Sequence, residues 1–150
     1  IDAASDLPVT LLFGGEGPAT PDLKARAREQ GVDARFLGFL DREDLPAFYS
    51  SLDLFAFPSP VETQGLVALE AVACGTPVVG SNDGALAETI EEGTMGYTYA
   101  SGDVADFQSQ IRRALSERDR LGERCLALRD AISVDHTVDA LAEHYETLRR

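Results

Sequence analysis

Several residue types are rare in this sequence. It has no tryptophan, one methionine and two cysteines among 150 residues. Cys74 and Cys125 lie within apolar helical patterns and have no CxxC or Cys/His spacing, which favours buried free thiols over a disulfide or a metal site. No apolar run approaches the roughly 20 residues of a membrane span, and residues 1–6 lack the basic and apolar blocks of a signal peptide. We therefore expect a cytoplasmic chain without a transmembrane segment.

Positive charge is scarce as well. Thirteen Lys and Arg residues stand against 26 Asp and Glu residues, so the formal net charge is -13. Neither basic residue type occurs between Arg42 and Arg112. Because a strongly acidic chain repels phosphate backbones, this composition argues against a nucleic-acid partner. A small anionic ligand would have to be held by local dipoles.

Apolar runs of strand length alternate with helical patterns, which is typical of βα units stacked around a parallel sheet. The predicted strands cover residues 9–13, 34–37, 54–57, 77–80 and 96–99, and the predicted helices cover residues 21–30, 42–51, 65–73, 85–90, 103–115, 119–132 and 137–148. Asp41 is the expected N-cap of the second helix, whose inward-facing positions are Leu45, Phe48, Tyr49 and Leu52. The sequence predicts one α/β domain over residues 1–150, with a Rossmann-like parallel sheet of four to five strands and helices on both faces.

One carboxylate stands out in the predicted helix at residues 65–73. Glu70 is the only group from Gly65 to Gly75 that we expect to be charged, and apolar strands flank this helix, which we predict to be buried. A lone buried carboxylate costs several kcal/mol unless it is paired or solvated. A buried arginine or a solvated helix edge could satisfy it.

A second carboxylate precedes the same helix. Glu62 lies eight residues before Glu70, so the two would be about 12 Å apart if measured along one helical axis. Between them lie the free N–H groups of the helix N-terminus, near Gln64, Gly65 and Leu66, which suit a phosphate. This order of carboxylate, anion site and carboxylate matches a nucleotide sugar, with its hexose hydroxyls, diphosphate and ribose hydroxyls.

The surrounding residues carry a family resemblance. The pattern Pro-Ser-x-x-Glu, followed by Gly-Leu-Val-x-Leu-Glu-Ala-x-Ala-x-Gly-x-Pro-Val-Val, occupies residues 58–79. It resembles the signature of retaining GT-B glycosyltransferases of the family 4 type (glycosyl transferases group 1), which include glycogen, sucrose-phosphate and mannosyl transferases. The resemblance extends to residues 15–18, 36–39, 83–84, 88, 96 and 103.

The resemblance implies the C-terminal half of a GT-B fold, the nucleotide-sugar-binding domain of a hexosyltransferase that needs no metal or cofactor. Glu62 would be the catalytic residue that approaches the donor sugar, and Glu70 would bind the ribose hydroxyls. The other implied donor-binding residues are the diphosphate-facing amides of Thr63, Gln64, Gly65, Leu66 and Val67, the base-contacting loop of Gly38, Phe39 and Leu40, and the cleft-bordering Gly15 and Glu16. The donor would be a UDP-, GDP- or ADP-sugar.

The resemblance also implies an Arg and a Lys on the loop after the first strand of the domain, in a βα unit that would precede Val9. We therefore expect a fragment that lacks this unit and the N-terminal domain for a sugar, polysaccharide or lipid acceptor. The isolated fragment would be inactive. Its parent would be cytoplasmic, with attachment to the inner membrane surface as one option.

Two alternatives to a transferase remain open from the sequence. One is a sugar-nucleotide epimerase with the GT-B fold, and the other is a non-catalytic module that binds nucleotide sugars. A dinucleotide-binding site is not supported, because residues 14–17 lack the full GxGxxG pattern.

Overall fold

A computed structural model describes residues 1–148. The strands are β1 (Thr10–Gly14), β2 (Asp33–Gly38), β3 (Phe55–Phe57), β4 (Val78–Ser81) and β5 (Gly96–Tyr99). The helices are α1 (Thr20–Glu29), α2 (Leu45–Ser50), α3 (Leu66–Ala73), α4 (Ala85–Thr89), α5 (Val104–Ser116), α6 (Arg118–Ala127) and α7 (Val134–Leu148). A 3-10 helix, Asp2–Ala4, precedes β1.

All five predicted strands are present, and every pairing between them is parallel. The strands hydrogen-bond as two sheets, one formed by β1 and β2 and the other in the order β3-β4-β5. The predicted α/β class is therefore confirmed, but the strands do not form one continuous sheet. Within residues 1–148, β1 and β3 each pair with a single neighbour.

Strand β4 explains why helices cover both faces of its sheet. Successive residues of a strand point to opposite faces, so Val78 and Val79, both fully buried, face different layers. The Val78 side packs with Tyr49, Ala68, Ala71, Val72, Leu86, Ile90, Met95 and Cys125 from and around α2, α3, α4 and α6. The Val79 side packs with Ala3, Tyr97, Tyr99, Ile111, Ala114 and Leu121.

Two helices begin three residues away from their predicted starts, for local reasons. Helix α2 begins at Leu45, with Asp44 and not Asp41 as its N-cap. Pro46 lacks an N–H and clashes with the carbonyl four residues earlier, so it is tolerated only in a first helical turn. Helix α7 begins three residues early, after Ser133, whose Oγ accepts the backbone N–H of His136 at 3.1 Å.

Helix α6 is shorter than predicted, and helix α7 is not buried. Helix α6 ends at Ala127, five residues before the predicted end. Helix α7 buries no residue and exposes an apolar stripe of Val134, Val138, Leu141, Tyr145 and Leu148. Across residues 1–148, every helix is too short or too polar to cross a membrane.

We predict that Leu86→Ala lowers the free energy of unfolding by about 3 kcal/mol, because Leu86 is fully buried between α3 and β4 and its truncation leaves a cavity. The matched change Leu141→Ala, at a 53% exposed position on α7, should have an effect below about 0.5 kcal/mol. Urea denaturation of both variants measures the difference. Equal effects at the two positions would contradict the described core.

Candidate functional site

The loop between β3 and α3 delivers Glu62 to the start of α3. Gly65 is the N-cap of α3 and has φ 67°, in the left-handed region that favours glycine. A Cβ at this position would lie 3.2 Å from Leu86 Cδ2. The conformation and the space at Gly65 together explain why the loop can turn into the helix here.

The Glu62 carboxylate accepts hydrogen bonds from the three amides that lead into α3. Its Oε1 accepts the backbone N–H groups of Thr63 at 2.9 Å, Gln64 at 3.2 Å and Gly65 at 3.3 Å. The hydrogen bonds from Gln64, Gly65 and Thr63 hold the pKa of the Glu62 carboxyl below its ordinary value. Three of the five amides predicted to face a diphosphate thus already bind an anionic group of the protein itself.

The two remaining predicted amides, those of Leu66 and Val67, have no hydrogen-bond acceptor within residues 1–148. They are the first N–H groups of α3, which have no partner inside the helix. The helix dipole adds partial positive charge at the same point. The N–H groups at this end of α3 can therefore donate hydrogen bonds to further anionic oxygen atoms.

The backbone of Glu62 is held from behind by the start of α4. The Ala85 N–H donates to the Glu62 carbonyl at 3.3 Å, and a Cβ on Gly84 would lie 3.2 Å from the same oxygen. Gly84 belongs to the family pattern, but its close approach to Glu62 could not be read from the sequence. This contact fixes the position of the Glu62 backbone, from which the carboxylate side chain extends.

Glu70 lies on an open face of α3. Helical residues four apart share a face, and both Leu66, 58% exposed, and Glu70 are exposed. The prediction that the whole helix is buried is therefore wrong for this face, whereas the opposite face, with Ala68 and Ala71, is buried.

Because residues 62–65 are not helical, the predicted axial distance of about 12 Å between Glu62 and Glu70 does not apply. Glu70 lies five residues after Gly65, about 8 Å along the helix.

The partner of Glu70 is a tyrosine and not an arginine. Tyr49 Oη donates to Glu70 Oε2 at 3.0 Å, and Glu70 forms no ion pair among the described residues. The sequence did not predict Tyr49 as a site residue. It predicted Tyr49 only as an inward-facing residue of α2. A tyrosine among phenylalanines and leucines was the available signal, because a buried hydroxyl needs a polar partner.

The predicted residues after β1 and β2 come together. Gly15 N–H donates to the Gly38 carbonyl at 2.7 Å, and Glu16 Oε1 lies 3.3 Å from where a Gly38 Cβ would be. Phe39 is 79% exposed. Leu40 turns inward, since its Cδ1 lies 2.7 Å from the Cβ position of Gly14.

Helix α2 connects this loop pair with α3. The Phe48 ring reaches within 3.4 Å of the Cβ position of Gly14, beside Leu40. Its neighbour Tyr49 binds Glu70 on the other side. The loop that the resemblance assigns to the base and the carboxylate that it assigns to the ribose are therefore linked through two consecutive residues of α2.

A cavity of about 580 Å³ lies apart from the two glutamates, lined by Glu16, Gly17, Thr20, Pro21 and Lys24. Of the predicted site residues, only Glu16 lines it. Lys24 Nζ lies 5.3 Å from the centre of the Phe36 ring, on the α1 side of the small sheet. We place the candidate site at the α3 N-terminus instead, because the Glu62 carboxylate and the unpaired amides of Leu66 and Val67 lie there, with Glu70 on the open face of the same helix.

Comparison with known proteins identifies the family of this chain and supports its fold. The model of the family Glycosyl transferases group 1 matches residues 1–131, and the chain belongs to that family. In fold it resembles the Anabaena protein HepE in complex with UDP, with a TM-score of 0.84 and 25% identity over 97% of this chain and 43% of that one. The predicted GT-B class is thereby supported by structure as well as by sequence.

Two curated relatives illustrate the family. The chain is 34% identical to 2-deoxystreptamine glucosyltransferase of Streptomyces kanamyceticus, over 97% of this chain and 38% of the relative. It is 40% identical to D-inositol 3-phosphate glycosyltransferase of Mycolicibacterium smegmatis, over 95% of this chain and 35% of the relative. The chain thus spans less than half the length of the relatives that it matches.

We predict that the Glu62 carboxyl titrates below its ordinary value of 4.5, because three N–H groups stabilise its charged form. A lowered pKa adds stability that is fully present above the pKa of the unfolded chain and is lost as the pH falls through the folded value. Carbon-13 NMR of the Glu62 Cδ measures the titration. A midpoint at or above 4.5 would contradict the described contacts, and Glu62→Gln should remove this part of the acid-induced loss of stability.

Proposed function

We propose that this chain is the donor-binding part of a glycosyltransferase that moves a hexosyl group from a nucleoside-diphosphate sugar to an acceptor, with retention at the anomeric carbon. The observation that carries the proposal is the position of Glu62 before the first turn of α3 and of Glu70 after it, with the amides that lead into this helix bound to the Glu62 carboxylate. Membership of the glycosyl transferases group 1 family supports the reaction class. The two-glutamate pattern supports retention.

The proposed roles follow the order of groups in the donor. Glu70, on the open face of α3, receives the ribose hydroxyls. The amides at the start of α3 receive the diphosphate, and the loop of Gly38, Phe39 and Leu40 meets the base. Glu62 approaches the sugar, where an oxocarbenium-like transition state requires negative charge and positioning more than a covalent partner.

The contacts of Glu62 add a step to this scheme. Its carboxylate occupies the amides of Thr63, Gln64 and Gly65, and these donors are the natural ligands of a phosphate at a helix N-terminus. The diphosphate of the donor would replace the carboxylate on these amides. Glu62 would then be released toward the sugar, so that donor binding itself moves the catalytic carboxylate into place.

The charge of the leaving diphosphate calls for cations, and the sequence around α3 supplies none. No basic residue occurs between Arg42 and Arg112. We propose that a further βα unit of a longer protein supplies them and that its strand pairs with β1 and β3, each of which has a single strand neighbour. None of the apolar residues in either strand is fully buried, which supports such a neighbour. An additional domain would hold the sugar, polysaccharide or lipid acceptor.

The first test of the proposed function is a thermal-shift screen of the full-length protein with UDP-, GDP- and ADP-sugars. A ligand that binds only the folded state raises the unfolding temperature more the tighter it binds at a given concentration, so one nucleotide class should stand out. Product analysis then follows with candidate acceptors. Release of a free, modified sugar nucleotide without acceptor would contradict transfer and indicate an epimerase.

The two glutamates should fail differently in the full-length enzyme. Glu70→Gln should weaken binding of the free nucleoside diphosphate by about 1 to 3 kcal/mol, for the loss of charged hydrogen bonds. Glu62→Gln should leave that affinity unchanged or improve it, because a neutral side chain competes less for the α3 amides. Transfer should nevertheless fall, by on the order of 100-fold. Calorimetry and initial rates measure the two effects.

The matched control is Glu123→Gln, which removes one carboxylate from the exposed surface of α6. This variant should keep both nucleotide affinity and transfer rate. If Glu62→Gln weakened nucleotide binding while Glu70→Gln spared it, the assignment of sugar and ribose ends would be reversed.

The 150-residue chain alone should bind donor weakly and transfer no sugar. Helix-terminal amides open to water are screened by solvent and salt, and they lack the low-dielectric closed cleft that makes such dipoles effective. Titration of this chain and of the full-length protein with the same donor compares the two affinities. Equal affinities, or turnover by the chain alone, would show that the binding energy resides within these residues.

A further inference from the structure

Tyr49 connects α2 with the open face of α3. Its side chain is 5% exposed, and its hydroxyl donates to Glu70 Oε2 at 3.0 Å. The ring packs edge-on against Phe55, with 5.4 Å between the ring centres, and at a tilt against Phe48 at 5.6 Å. Only the hydroxyl thus reaches from the core toward the exposed carboxylate.

The backbone of Tyr49 is anchored as firmly as its ring. The Thr76 hydroxyl, itself buried, donates to the Tyr49 carbonyl at 2.6 Å. This bond ties α2 to the turn that leads from α3 into β4. Since both ends of Tyr49 are fixed by core contacts, the position of its hydroxyl is set before any ligand binds.

The fixed hydroxyl restrains a side chain that would otherwise be free. An exposed glutamate on a helix samples several rotamers, and ordering them when a ligand binds lowers affinity. The bond from Tyr49 selects one arrangement of Glu70 in advance. Each carboxylate oxygen can accept two hydrogen bonds, so Oε2 retains one acceptor position and Oε1 retains two. Glu70 can therefore hold Tyr49 and two ligand hydroxyls together.

The protonation state of Tyr49 suits this role. Burial, together with the hydrogen bond to Glu70, raises the pKa of the Tyr49 phenol above its ordinary value. The hydroxyl therefore stays protonated at neutral pH and remains a donor.

We propose that Tyr49 is a positioning residue for nucleotide recognition, which holds the Glu70 carboxylate in the orientation that receives the two ribose hydroxyls of the donor. This inference rests on the proposed function, because it assigns the ribose to Glu70. It adds a residue from α2, 21 positions earlier in the chain, to the machinery of the site. Glu70 is thereby aligned by the core and not by its own helix.

The test compares Tyr49→Phe with the wild type in the full-length protein, by calorimetry with UDP and with 2′,3′-dideoxy-UDP. If the screen favours GDP or ADP, the corresponding pair of nucleotides is used. Tyr49→Phe should weaken UDP binding about 5-fold, which corresponds to about 1 kcal/mol. It should leave binding of the dideoxy nucleotide unchanged, because that ligand lacks the hydroxyls that Glu70 would receive.

The matched control is Tyr97→Phe. Tyr97 is 1% exposed, and its hydroxyl donates to Glu117 Oε2 at 3.1 Å in the other core layer. Both substitutions therefore remove one buried phenol that binds a glutamate. Tyr97→Phe should leave the ratio of UDP affinity to dideoxy-UDP affinity at its wild-type value, even if it lowers the melting temperature as much as Tyr49→Phe does.

A double-mutant cycle completes the test. In a Glu70→Gln background, Tyr49→Phe should change UDP affinity less than 2-fold, because the charged acceptor is already lost. Equal weakening of both nucleotides by Tyr49→Phe, or no weakening of either, would overturn the positioning role while leaving the proposed function intact. A wild type that binds UDP and dideoxy-UDP equally would overturn the ribose assignment of Glu70 itself, and the inference with it.

Discussion

The site depends on one requirement of helix chemistry, which is that the amides leading into α3 and those of its first residues need acceptors. Glu62 supplies one carboxylate oxygen to three of them, and the amides of Leu66 and Val67 remain open. The loop geometry follows from this arrangement, with Gly65 turning into the helix and Ala85 holding the Glu62 carbonyl. The buried face of α3 and the core around β4 keep the helix end at the carboxyl edge of the sheet.

Charge explains why this arrangement matters in so acidic a chain. With a net charge of -13, the field of the whole protein repels an anionic donor. Backbone dipoles at one helix end act over short range, so they can hold an anion at that point despite the acids elsewhere in the chain. The Glu62 carboxylate accepts hydrogen bonds from these amides when no ligand is bound. Donor binding is therefore an exchange of this carboxylate for the diphosphate. Recognition in our account is thus local, and it is coupled to the movement of Glu62.

The sequence predicted the elements that repeat a simple pattern. Apolar runs locate all five strands within one residue at each end, and the motif at residues 58–79 identifies the family. The features that the sequence could not predict depend on contacts between residues that are far apart in the chain. The exposure of Glu70 depends on which face of α3 is covered, and its bond to Tyr49 joins residues far apart in the chain. The division into two sheets is equally invisible locally, because it is decided by which strands meet.

The most direct measurement is a crystal structure of the full-length protein with UDP bound. Our account predicts that the ribose hydroxyls bind Glu70, that the diphosphate accepts the N–H groups at the start of α3, and that the Glu62 carboxylate has left the amides of Thr63 and Gln64. It would be contradicted if the nucleotide occupied the cavity beside Glu16 and Lys24 while Glu62 kept its bonds to those amides.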